Sequence, residues 1–141
     1  ISELSSTILL DGRVGSFSIP RKGGRDMGIL VQKFGGSSMG TAARREQVVG
    51  HILEAKAAGY ECVVVVSAMG RSGDPYATDT LLQLVDEGTH MASRELDLLM
   101  SCGEIISATV LAQKLSKSGE KATALTAKQG LLRTLSMEVP R

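Results

Sequence analysis

Residues 61–68 read Glu-Cys-Val-Val-Val-Val-Ser-Ala. Four successive β-branched residues favour extended backbone, and a run without polar alternation has no face to turn to water. It predicts a strand buried on both sides, as in the interior of a parallel sheet. Parallel pairing requires a crossover connection, and the preceding residues supply one. Thr41 to Ala58 places Val48, Val49, Ile52 and Leu53 at helical spacing, with Gly59 as the stop. Ahead of it, Ile29 to Lys33 is a short apolar run that leads into Phe34-Gly35-Gly36. Strand, glycine turn, helix and strand make a βαβ unit.

Downstream, Met69 to Ala77 is a loop with two glycines and a proline, and Thr78 to Asp86 predicts a short helix capped by Thr78 or Asp79. Ser93 to Leu115 carries Leu96, Leu99, Met100, Ile105, Ile106, Val110 and Leu111 on one broad helical face, with Gly103 expected to weaken or interrupt it. Lys121 to Thr126 is expected to be a third strand. The alternation of strands and helices argues an open α/β sheet. Residues 1–26 show no sustained period and are expected to be irregular.

With 141 residues, 43% of them hydrophobic, the chain is enough for one domain or part of one. Its 16 basic and 15 acidic residues are interspersed, which argues against a nucleic-acid footprint or a polybasic membrane patch. An aromatic content of 3% argues equally against base-stacking platforms. Cys62 and Cys102 are too few and too far apart for a metal knuckle or a disulfide framework; each sits in an apolar run and is expected to be a reduced, buried thiol, as in the cytoplasm. No stretch approaches the roughly 20 apolar residues of a membrane span, and the first residues lack the pattern of a secretory signal. His51 and His90 are isolated and read as surface residues, and no metal-ligand set is assigned.

The glycine turn carries the chemistry. Two glycines after a buried strand let a ligand approach backbone N–H groups, a concavity suited to an anion, and Lys33 adds a positive charge beside them. Phosphate is the natural guest for Lys33, Gly35 and Gly36. A tight turn whose glycines serve packing, with Lys33 snorkelling to water, accounts for the same local pattern. Two familiar phosphate motifs are absent. A Walker A loop places its lysine after the glycines, and Gly40 is followed here by Thr41; a dinucleotide fingerprint needs GxGxxG and an acid closing the second strand, where this chain has Ser67-Ala68.

Three segments in order, KFGGSSM (Lys33 to Met39), VVVVSAMG (Val63 to Gly70) and LLMSCGEIIS (Leu98 to Ser107), resemble the aspartate kinases of the amino acid kinase family. The segment GDPYATDTLL (Gly73 to Leu82) resembles an insertion present in one form of that family. The resemblance covers Met27 to about Thr126, the N-terminal part of the family's kinase domain. It implies a three-layer α/β fold, incomplete here, with an open, mainly parallel sheet and helices on both faces. It also implies phosphoryl transfer from MgATP to the β-carboxylate of L-aspartate, the first step towards lysine, methionine and threonine, in a cytoplasmic enzyme that is a homo-oligomer at full length. Acetylglutamate or uridylate kinase-like activity on the same fold, or a non-catalytic nucleotide-binding fragment, are the alternatives.

Carried over residue by residue, the resemblance implies that Lys33, Gly35, Gly36, Ser37 and Ser38 hold the ATP phosphates, with Lys33 catalytic. Ser67 and Thr78 would contact aspartate through hydroxyls, and Glu104 would pair with its ammonium. The plainer alternatives are a backbone-satisfying strand end for Ser67, a helix cap for Thr78 and a solvated acid for Glu104. Where the family continues LTGGQAG, residues 125–130 read Leu-Thr-Ala-Lys-Gln-Gly. Codons exist for residues 127–141 that, read one base earlier, give GQAGFITDFINGSAP, so this tail is expected to be a frameshifted reading. Lys22-Gly23-Gly24 can be encoded by a ribosome-binding sequence just before the Met27 codon, so residues 1–26 are expected to be translated upstream sequence. Residues 27–126 alone, without the segments that hold adenine and metal, are expected to be inactive.

Overall fold

The computed structural model describes residues 15–17, 28–85, 93–126 and 129. In chain order the elements are β1 (Gly15–Phe17), β2 (Ile29–Phe34), α1 (Gly36–Met39), α2 (Ala42–Ala57), β3 (Glu61–Val66), α3 (Thr78–Leu82) and α4 (Ser93–Lys117). β2 and β3 pair in parallel, from Ile29 opposite Glu61 to Phe34 opposite Val66. The βαβ unit expected from the valine run is therefore present, with α2 as its crossover. β1 adds to the other edge of β2, antiparallel, with Gly15 opposite Val31. This corrects the expectation of an irregular stretch there: three residues are too few to show a period, yet they give β2 backbone partners that an open edge would lack.

Helix α2 begins where Thr41 accepts a hydrogen bond from the Arg44 amide on its side-chain oxygen, at 3.2 Å. It ends at Gly59, whose φ of 94° turns the chain so that Gly59 and Tyr60 donate to the carbonyls of Lys56 and Ala55. That double closure satisfies carbonyls the helix would otherwise leave open. Its buried stripe is Val48, Val49, Ile52 and Ala55. This stripe meets Val64 and Val66 of β3 and Ala108, Leu111 and Leu115 of α4 in one core, completed by Met39 and Met69. Both long helices thus share the sheet face that carries Leu30, Gln32, Val64 and Val66, while Ile29, Val31, Val63 and Val65 on the other face are half-buried.

Helix α4 runs through Gly103 without a break. The reason is space: a Cβ on Gly103 would lie 2.8 Å from the Ala68 Cβ and 2.9 Å from the Tyr76 carbonyl oxygen. Glycine costs a helix interior about 1 kcal/mol relative to alanine, and here it lets α4 seat against the loop after β3. The broad apolar face is narrower than the sequence suggests, since Ile105 is exposed. Three further expectations are corrected. Helix α3 stops at Leu82 and is preceded by Ala77, so neither Thr78 nor Asp79 is its cap. In the expected third strand, only Thr123 makes a bridge, while Ala122 and Ala124 pack against the core; alanines bury little surface and favour strands weakly. Cys102 is exposed and Cys62 half-buried, so the thiols are free but not both buried. His90, residues 130–141 and most of residues 1–26 lie outside the described residues. No described helix is long and apolar enough to cross a membrane.

Two glycines inside helices separate these effects. Gly50 in α2 has nothing within 4 Å of an added Cβ, so Gly50→Ala is expected to raise the unfolding free energy by about 0.5–1 kcal/mol. Gly103→Ala is expected to lower it by about 1–3 kcal/mol through overpacking. Urea denaturation checks both, and stabilisation by Gly103→Ala would mean that α4 does not approach the loop this closely.

Candidate functional site

The C-terminal ends of two parallel strands open into two loops that touch. After β2 the chain turns at Gly35 into the single turn of α1, whose first internal bonds are donated by the Ser38 and Met39 amides to the Gly35 carbonyl. The Gly36 and Ser37 amides precede those bonds and are not used within the turn. After β3, Ser67 continues the ladder by donating its amide to the Phe34 carbonyl at 3.2 Å. The Gly70 amide then donates to the Gly36 carbonyl at 2.8 Å.

That contact divides the glycine pair. A Cβ on Gly36 would lie 2.5 Å from the Gly70 carbonyl oxygen and 2.8 Å from that of Ala68, whereas one on Gly35 would meet nothing within 4 Å. Gly36 is thus a packing glycine, and Gly35 has open space over its backbone. Packing explains Gly36, and Gly35 keeps the space that ligand approach would need.

Between the loops lies a cavity of about 460 Å³ lined by Gly36, Ser67, Ala68, Gly70, Arg71, Ser72, Ala77, Thr78 and Asp79. It falls in the size range of small-ligand sites. Gly36, Ser67 and Thr78, singled out from sequence, are brought together here. Ser37 and Ser38 line a different cavity of about 280 Å³ beside α2, with Phe34, Arg44, Gln47 and His51. There the Arg44 guanidinium donates to the Ser37 carbonyl at 2.8 Å, and the His51 ring stacks on Phe34. Lys33 is half-buried at the penultimate position of β2, opposite Val65. Glu104 is exposed and does not line the large cavity, although the preceding Gly103 packs against its wall at Ala68. Arg71, Ser72 and Asp79 were missed from sequence. The only available signal was polar composition in a glycine-rich loop, which does not say which side chains turn inward.

At the far end of β3, burial pushes the Cys62 thiol up, with Lys56 opposing and Glu120 adding to the shift. That leaves it protonated at neutral pH and a weak nucleophile. Among the described residues no group of three or more histidine, cysteine, aspartate or glutamate side chains could hold a metal ion. Mg²⁺ is commonly held by one or two carboxylates together with substrate phosphates, and the lining of the large cavity offers one carboxylate, Asp79.

A sequence model of the amino acid kinase family matches residues 28–139, a span that includes residues of the 127–141 tail. Aspartokinase 1 of Bacillus subtilis (strain 168) is 54% identical over 104 residues, which are 73% of this chain and 26% of that protein. The aspartokinase of Geobacillus stearothermophilus is 42% identical over 112 residues, 79% of this chain and 26% of that protein. The chain thus spans about a quarter of the length of these relatives. In the crystal structure of an aspartate kinase from Synechocystis, 14% of the chain superimposes on 63% of this one, with a TM-score of 0.56 and 41% identity. The parallel strand pair, its glycine turn and these matches together establish that the chain belongs to the amino acid kinase family.

Proposed function

We propose that the chain carries part of the active site of an aspartate kinase, which transfers the γ-phosphoryl group of ATP to the β-carboxylate of L-aspartate. A carboxylate oxygen forms a bond to the γ-phosphorus while the bond to the bridging oxygen breaks, and ADP leaves with that electron pair. The products are 4-phospho-L-aspartate and ADP. The observation that carries this reading is the cavity in which Ser67 and Thr78 stand across from Gly36, one residue from the open backbone of Gly35.

A carboxyl with a reference pKa of ~3.9 is already ionised at neutral pH, so the nucleophile needs no general base. What opposes reaction is repulsion between that anion and the triphosphate, and phosphoryl transfer is catalysed largely by positioning and charge stabilisation. Lys33 and the amides at the start of α1 are the proposed neutralising groups, with Ser37 and Ser38 as further donors. Ser67 and Thr78 offer hydroxyls to the amino acid, and Glu104 is the proposed partner of its ammonium. The similarity to aspartokinases supports aspartate as the substrate. The same reading makes the product a precursor of lysine, methionine and threonine, and the full-length enzyme a cytoplasmic homo-oligomer that uses Mg²⁺. Because the chain spans a quarter of its relatives, turnover is expected only when the remaining segments are present.

The test uses a hybrid in which residues 28–126 replace the matching part of Bacillus subtilis aspartokinase 1, with aspartyl phosphate trapped by hydroxylamine. The hybrid is expected to form the hydroxamate from aspartate and not from acetylglutamate. Lys33→Ala is expected to lower kcat by about 10²–10³-fold. Gly35→Ala is expected to raise the KM for ATP about tenfold, with stability changed by less than about 0.5 kcal/mol, because the new methyl occupies space the protein itself leaves open. Full activity in Lys33→Ala would sink the assignment of that lysine, and preference for another acceptor would sink the substrate.

A further inference from the structure

At Asp74 the loop after β3 is tied by one carboxylate bond and two backbone bonds. Asp74 accepts a hydrogen bond from the Arg71 amide on Oδ2 at 2.8 Å, and its own amide donates to the Arg71 carbonyl at 2.9 Å. Its side chain lies over Gly70: a Cβ there would fall 2.3 Å from Asp74 Oδ2 and 2.5 Å from Asp74 Cβ, and the φ of Gly70 is 89°. The Asp74 carbonyl accepts from the Ala77 amide at 3.2 Å, immediately before Thr78. A second tie runs from the Gly73 amide to Oγ1 of Thr80 at 3.2 Å. Asp74 therefore bonds to both sides of the segment, through its carboxylate to Arg71 beside Gly70 and through its backbone carbonyl to Ala77 before Thr78, and only the first bond depends on its side chain.

We infer that Asp74 is a positioning residue for the reaction proposed above: it fixes the 70–77 loop so that the Gly36 contact, Arg71 and Thr78 hold one arrangement around the amino acid substrate. It acts as a hydrogen-bond acceptor and not as a charge on the ligand, and Asp74 itself does not line the cavity. The inference rests on the aspartate kinase reading for its substrate, and on the loop hydrogen bonds for its mechanism. Asparagine retains a side-chain oxygen acceptor, and alanine retains none.

Asp74→Ala and Asp74→Asn are compared in two settings. In the 141-residue chain, amide hydrogen exchange of residues 70–77 is measured; Asp74→Ala is expected to reduce protection of the Arg71 amide about tenfold, with Asp74→Asn within about twofold of the parent. In the hybrid enzyme, Asp74→Ala is expected to raise the KM for aspartate about tenfold, with kcat and the KM for ATP changed less than about threefold, and Asp74→Asn to restore it. A merely structural role would lower stability and move both KM values together. The inference is overturned if Asp74→Ala leaves loop exchange unchanged, or if Asp74→Asn fails as alanine does, since the charge would then be what matters. A hybrid that phosphorylates no aspartate overturns the substrate reading instead, and the exchange measurement still decides whether Asp74 holds the loop.

Discussion

Gly36 and Gly70 meet through bare backbone, and the arrangement of the candidate site follows from that contact. The two carry a hydrogen bond of 2.8 Å, and no side chain fits at Gly36. The contact can form only where the strands that feed the loops keep their register. Ile29 through Phe34 pair with Glu61 through Val66, and Ser67 adds one further hydrogen bond beyond the strand ends. A slip of one residue would turn Val64 and Val66 away from the helices and expose them. The hydrophobic pattern of β3 thus sets the position of Ser67, and through it the width of the cavity.

Burial, more than ion pairing, holds this register. Each fully buried Val or Leu contributes about 1.5–3 kcal/mol relative to exposure, and Val48, Ile52, Val64, Leu111 and Leu115 are almost completely covered. The described ion pairs lie on the surface. Arg94–Glu95 and Lys56–Glu120 have partly or largely exposed side chains, and such pairs contribute about 0–1 kcal/mol. The core also contains Gln32, whose Nε2 reaches the His51 carbonyl only at 3.4 Å and whose Oε1 has no partner among the described residues, and Ser107, whose Oγ likewise has none among them. A buried polar atom left without a partner would cost about 1–3 kcal/mol, so these two side chains mark where the core is sensitive to substitution.

The βαβ unit was legible because it rests on two unambiguous periods: continuous apolar character at Val63 to Val66, and helical spacing from Val48 to Leu53. Lys33 and the glycine pair stood out as candidates by their place at a strand end, and Ser67 through the family resemblance. The roles of the glycines were not, because both packing and ligand approach select glycine, and only the position of Gly70 tells them apart. Gly103 was read by propensity as a weak point, whereas close approach to Ala68 makes it a seat for α4. Gly15–Phe17 gave no signal because three residues cannot show a period. Arg71 lines the cavity from a loop tied by Asp74 and Thr80, and such side-chain-to-backbone bonds leave no periodic trace.

On the aspartate kinase reading proposed above, the division within the glycine pair bears on how two anionic substrates can be brought together. Repulsion between unit charges about 4 Å apart is on the order of 4 kcal/mol at an effective dielectric of about 20, so each substrate needs its own compensation. The cavity beyond Gly36 is lined by one cationic side chain, Arg71, and one anionic side chain, Asp79. Its near balance of charge suits an amino acid, which carries both signs, better than a bare polyphosphate. Phosphate binding on the proposed reading then falls to Lys33 and the open backbone at Gly35, on the strand side of the turn. Gly36, with no room for a side chain and with its carbonyl held by Gly70, forms the partition between them.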